Sequence, residues 1–194
     1  MDLDHFLRDP QSRRRFFRMS GVSVGGASAV FLAACSDDTK NPVKAGEDES
    51  DQADVEILNG ALDLEHMAVA AYKAGAARLR GDRLAIVKVF LEQEQEHADG
   101  LAAAVKDADG KPNRAKSAYD FPVLRSEADV LRFAVDLENT AIAAYIDALP
   151  KLSEKDLRAT AASIITNEAE HVSVLLDALG REPVPAAFVT GRAA

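Results

Sequence analysis

Two short stretches, EQEH at Glu94–His97 and EAEH at Glu168–His171, each place a histidine three residues after a glutamate. Three residues is close to one helical turn, so both side chains leave the same face toward one centre. A carboxylate and an imidazole so placed are oxygen and nitrogen donors, and they suit iron or manganese without separating the two. One such pair arises often by chance. Here each is preceded at similar distance by a further glutamate. Glu65 lies in LDLEHMAVAAYKA (Leu62–Ala74) and Glu138 in VDLENTAIAAYID (Val135–Asp147). These segments repeat at an offset of 73, which also pairs Tyr72 with Tyr145, and the two Glu-x-x-His motifs repeat at 74.

The elements that must position these groups are four amphipathic helices. Their stripes run Leu58, Leu62, Glu65, Val69, Tyr72, Ala76; then Val87, Phe90, Glu94, His97, Leu101, Ala104. The third runs Leu131, Val135, Glu138, Ile142, Tyr145, Leu149, and the fourth Leu157, Ala161, Ile164, Glu168, His171, Leu175, Ala178. SEAD (Ser126–Asp129) reads as a capping-box start for the third, which Pro150 stops. The fourth begins after SEKD (Ser153–Asp156) and ends at Gly180. Short links join helices one to two and three to four, and Asp107–Arg125 is a long crossover between them. The expected fold is all-α: an antiparallel four-helix bundle of two pseudo-symmetric hairpins.

On these stripes Glu65, Glu94, Glu138 and Glu168 all fall in the core. An unpaired buried carboxylate costs several kcal/mol or takes up a proton, and four together repel. Lysines and arginines lie mostly off the stripes. Two divalent ions would balance four carboxylates, with two neutral imidazoles completing the shells.

Residues from about Ala53 to Gly180 resemble the ferritin-like superfamily, and more narrowly its exported bacterial members, which include desiccation-related proteins. The PVPAAFV tail (Pro183–Val189) is similar to the ends of that group. The resemblance implies that Glu94 and Glu168 bridge two metals, that Glu65 and His97 complete one, and that Glu138 and His171 complete the other. It implies two iron ions as cofactor, with manganese the alternative. No fifth helix is evident, which sets the chain apart from the cage-forming members. No cysteine-rich electron-transfer module is present, so electrons must come from outside.

Tyr72 and Tyr145 lie two turns beyond Glu65 and Glu138. They are candidate catalytic residues as electron donors in oxygen chemistry. A packing role, with each hydroxyl bonded to a ligand carboxylate, is the favoured reading. His66 stands one position off its stripe, and its repeat partner is Asn139, which points to a surface or supporting role. Glu96 and Glu170 point away from the ligand direction.

The chain has 194 residues and a formal charge of −9, which argues against a nucleic-acid partner. The single cysteine, Cys35, rules out a disulfide within the chain or a cysteine-built metal site. SRRRFFR (Ser12–Arg18) resembles a twin-arginine export signal through Arg13 and Arg14, and LAAC (Leu32–Cys35) resembles a lipobox. Residues 1–34 are therefore expected to be a signal peptide and 35–53 an acidic flexible linker. The helical domain is expected over 54–182 and a tail over 183–194. Cys35 would carry lipid and tether the protein at the outer face of the cell membrane or in the envelope.

The expected function is oxidation of Fe(II) with oxygen or peroxide at a di-iron centre. The alternatives are peroxide disproportionation of the manganese-catalase kind, or a non-catalytic metal-binding bundle for envelope stress or desiccation. The partners are the membrane through Cys35 and these small molecules, and a homodimer is compatible with the bundle. Replacing Arg13 and Arg14 by Lys should leave the precursor in the cytoplasm, and Cys35→Ala should release the protein from the membrane fraction or leave it unprocessed. Normal export and lipidation of the double-Lys variant, seen by cell fractionation, would overturn the signal reading.

Overall fold

The computed structural model describes residues 47–192, so Arg13, Arg14 and Cys35 lie outside the described residues. Helix α1 spans Glu47–Ala76, α2 Gly81–Asp107, α3 Glu127–Ala148 and α4 Lys155–Ala178, with a 3-10 turn at Leu149–Lys151. There is no strand among the described residues. No helix among them is long and apolar enough to cross a membrane. α1 begins at Glu47 and so takes in the last seven residues, 47–53, of the stretch expected to be linker.

α1 packs on α2 and α3 on α4, and the two hairpins meet through α1 against α3 and α2 against α4. Contacts at the ends fix the directions. At one end Arg83 bridges from α2 to Glu127 of α3 at 2.7 Å and reaches the Ala178 carbonyl of α4 at 3.3 Å. At the other, buried Asp54 of α1 accepts the Ser153 backbone N–H at 2.9 Å and its hydroxyl. Neighbouring helices are therefore antiparallel, and the crossover from α2 to α3 travels the length of the bundle.

The helix ends follow local chemistry. At α3 the Ser126 hydroxyl accepts the Asp129 N–H at 3.1 Å, and the Asp129 carboxylate accepts the Ser126 N–H at 3.0 Å. SEKD does not cap α4 in this way, because the Ser153 hydroxyl is committed to Asp54 and Glu154 stands at the cap position without a side-chain bond. At the far end of α4, Gly180 adopts φ +70, and its N–H and that of Arg181 close on the Asp177 and Leu176 carbonyls.

The crossover is pinned along one line of α1. Asn59 binds the Lys111 carbonyl and the Asn113 N–H, Asp63 takes the Asn113 amide, and His66 Nε2 lies 3.3 Å from the Asn113 carbonyl. Phe121 then packs beside Phe133 over Ala68, Ala71 and Leu137. His66 thus fastens the crossover. Beyond α4 the tail folds back. Ser173 donates to the Pro183 carbonyl, and Gly191 lies against α3 so closely that a Cβ would stand 2.3 Å from the Asn139 carbonyl.

Besides the small cluster under Phe121, the interior holds two larger apolar clusters, one toward each end, built around Leu62, Leu101 and Ile164 and around Leu79, Phe90 and Leu131. Removing the Asp54 carboxylate leaves the Ser153 N–H and hydroxyl without a partner. Asp54→Ala should therefore destabilise the domain by about 1–3 kcal/mol, read as a lower urea midpoint at unchanged slope, whereas Asp54→Asn should retain part of the loss.

Candidate metal centre

Each helix delivers its glutamate near its own middle, where the stripe residues face the bundle axis. Glu65 comes from α1, Glu94 from α2, Glu138 from α3 and Glu168 from α4, all fully buried or within 1% of it. His97 and His171 follow one turn on in α2 and α4. The structure thus brings together all six residues that the sequence singled out. Glu96 and Glu170 are exposed.

The donor atoms form two groups, Glu65, Glu94, His97 and Glu168, and Glu94, Glu138, Glu168 and His171; within each, one atom per residue lies within 4.8 Å of every other. Glu94 and Glu168 belong to both. His97 Nδ1 stands 3.1 Å from Glu168 and 3.6 Å from Glu65 and Glu94. His171 Nδ1 stands 3.1 Å from Glu94 and 3.3 Å from Glu138 and Glu168.

Close as they are, these contacts are not aligned hydrogen bonds. Both Nδ1 atoms, all four oxygens of Glu94 and Glu168, and Glu138 Oε2 are buried without a hydrogen-bond partner. Such atoms are rare in native interiors and call for an explanation. Donors held about 2.0–2.2 Å from a shared cation lie roughly 3–3.5 Å from one another, and each points at the ion rather than at its neighbour. The orphaned atoms and their spacing fit a pair of cations flanked by Glu94 and Glu168.

Other atoms of the ligand residues are held from outside. The Tyr72 hydroxyl donates to Glu138 and the Tyr145 hydroxyl to Glu65, so each tyrosine fastens the glutamate of the other hairpin. Burial, and then the adjacent carboxylate charge, push both phenols well above their ordinary range, so they stay protonated as donors. Gln93 was not evident from the sequence. Its carbonyl accepts from His171 Nε2 at 2.8 Å, and Phe90 stacks on the same ring with centroids 3.9 Å apart. A glutamine one residue before the ligand glutamate was the available signal, but in the polar run EQEQEH it looks like solvated surface.

Without metal the cluster stores protons. Burial raises the Glu65 carboxyl to about 8, helped by the charges of Glu168 and Glu94 and opposed by His97. Burial and the Glu168 charge hold Glu138 well above the carboxylate range. Burial alone would raise Glu94 and Glu168 too, but contacts with the two histidines outweigh it and both are lowered. The imidazoles mirror this. Burial would lower them, yet the facing carboxylates push His97 up to about 12 and His171 up to about 11. The shifts thus favour protons on the imidazoles and on Glu65 and Glu138, and the charged form of Glu94 and Glu168.

Four helices carrying a carboxylate-and-histidine core define the class as a ferritin-like bundle. A family model described as a ferritin-like domain matches residues 53–181, and the chain belongs to that family. Among solved structures it is similar to a conserved hypothetical protein, rv2844, from Mycobacterium tuberculosis, at 26% identity and TM-score 0.65, over 72% of this chain and 99% of that one. It is also similar in fold to ferritin like, diiron-carboxylate proteins from Bacillus anthracis str. Ames. Identity there is 23% and the TM-score 0.59, over 67% of this chain and 96% of that one. No curated protein matches the chain.

The proton store sets a pH dependence. Raised pKa values mean that the metal-free fold binds protons more strongly than the unfolded chain, between 4.5 and about 8 at Glu65 and between 6.5 and 11–12 at the histidines. Stability from these groups therefore falls as pH rises. The lowered Glu94 and Glu168 lose theirs only as pH falls below 4.5. Metal-free protein followed by circular dichroism should melt lower at pH 9 than at pH 6 by roughly 5 °C or more, about 1–2 kcal/mol in a domain this size. Metal-loaded protein should show the opposite trend toward acid, because protons compete with the ions for the same ligands.

Proposed function

We propose that this protein binds two metal ions, most simply iron, and oxidises Fe(II) with dioxygen or peroxide as acceptor. What supports this reading is the sharing of Glu94 and Glu168 between the two donor groups, which would hold two cations side by side. Glu65 and His97 complete one position and Glu138 and His171 the other. Iron is the metal of the diiron-carboxylate proteins from Bacillus anthracis that share this fold. Once bound, the paired ions supply a place where electrons from Fe(II) pass to a small oxidant.

The chain's own groups prepare that place. Tyr72 and Tyr145 hold Glu138 and Glu65 by their hydroxyls, which keeps one oxygen of each directed and leaves the other for the ion. The apolar clusters above and below exclude bulk water, which strengthens every charge interaction between them. Protons favoured on His97, His171, Glu65 and Glu138 would leave as the ligands engage.

The same proposal places the mature protein outside the cytoplasm, tethered through lipidated Cys35. This rests on Arg13, Arg14 and the LAAC stretch alone.

Replacement of either shared glutamate removes a ligand from both positions, whereas replacement of a histidine removes one from a single position. Glu94→Ala and Glu168→Ala should bind less than one ion per chain tightly, while His97→Ala and His171→Ala keep about one. All four should lose the fast phase of Fe(II) oxidation in stopped flow, because two adjacent ions are required. Wild-type stoichiometry and rate in the glutamate variants would sink the dinuclear reading.

A further inference from the structure

The two halves of the site share their ligands but not their surroundings. His171 is 1% exposed, its Nε2 is held by Gln93 at 2.8 Å, and Phe90 covers its ring. His97 keeps 14% of its side-chain surface in solvent, and its Nε2 has no hydrogen-bond partner among the described residues. The repeat explains the difference. At the offset of 74, Gln93 corresponds to Asn167 and Phe90 to Ile164. Asparagine is one methylene shorter than glutamine, and isoleucine has no ring to stack.

An imidazole whose distal N–H is fixed by an acceptor has its tautomer and ring plane set before metal arrives, and loss of such a partner typically weakens metal binding about 10- to 100-fold. His171 has this support and His97 lacks it. Of the six ligand side chains, His97 is also the one with more than marginal contact with solvent.

We propose that the two metal positions are inequivalent: the Glu138–His171 position retains its ion, and the Glu65–His97 position exchanges with solvent and is the way in. Gln93 is the positioning residue that sets the difference, acting through His171. This rests on the two-metal reading above and adds an order to it. The ion or oxidant arriving from outside meets the His97 side first, while the sealed side stays filled between turnovers.

Metal release tests this without reference to activity. Full-length protein loaded with two Co(II) ions is mixed with excess EDTA, and the Co(II) absorption is followed. Wild type should release its ions in two phases of equal amplitude, separated by about tenfold or more in rate. Gln93→Ala should speed the slow phase by about 10- to 100-fold and leave the fast phase alone. Gln93→Glu keeps an acceptor and should keep the slow phase near wild type. His97→Ala should retain only the slow ion and His171→Ala only the fast one. Release of both wild-type ions at one rate would overturn the inequivalence. Equal acceleration of both phases by Gln93→Ala, or a Gln93→Glu protein as fast as Gln93→Ala, would overturn the role of Gln93. Failure to bind any Co(II) would instead defeat the two-metal reading itself, and is distinguished by stoichiometry.

Discussion

Everything in this fold answers to four carboxylates forced into the buried centre of the bundle. Each helix needs its own stripe to face the axis, and each stripe carries a glutamate at its midpoint. The bundle therefore cannot close without bringing these groups together. Like charges in a dry interior are intolerable unless something positive is supplied. Imidazolium and bound protons can do so, and so can cations. Protons and cations are two ways of making such a site neutral, so metal uptake here would release protons and couple to the stability of the whole bundle.

The rest of the architecture holds the helices in register around that centre. Asp54 ties the start of α1 to the α3–α4 link, and Arg83 ties the start of α2 to the ends of its neighbours. The crossover, strapped along Asn59, Asp63 and His66, bridges the hairpins from outside. None of these groups touches the ligands. They fix helix positions, and the ligand geometry follows.

Much of this was legible in the sequence, because helical periodicity and a duplicated pattern are both carried by residue spacing. Glu65 and Glu138 stood out as charges on apolar stripes, and the capping box at Ser126 could be read from four letters. Other features depend on contacts between distant parts of the chain. The helical start at Glu47 lay in a stretch with too few apolar residues to show a stripe. The bond from the Ser153 hydroxyl to Asp54 joins residues 99 apart in the chain. Gln93 matters only because α4 brings His171 beside it. That the tyrosines would reach carboxylates was expected. That each would reach into the opposite hairpin could not be read from spacing within one.

That crossing has a consequence for assembly. A hairpin on its own holds a phenol and a glutamate that do not satisfy each other, and closure requires a second hairpin that returns both contacts. The two halves are thus keyed, since sliding one past the other by a helical turn, about 5.4 Å, would part both hydroxyls from their carboxylates at once. An apolar seam alone tolerates such slippage, because one leucine layer fits much like the next. Two buried polar pairs do not, as with the single polar residue that fixes alignment in a coiled coil. The tyrosines therefore act as an alignment check on the fold, which admits only the one docking that also assembles the ligands.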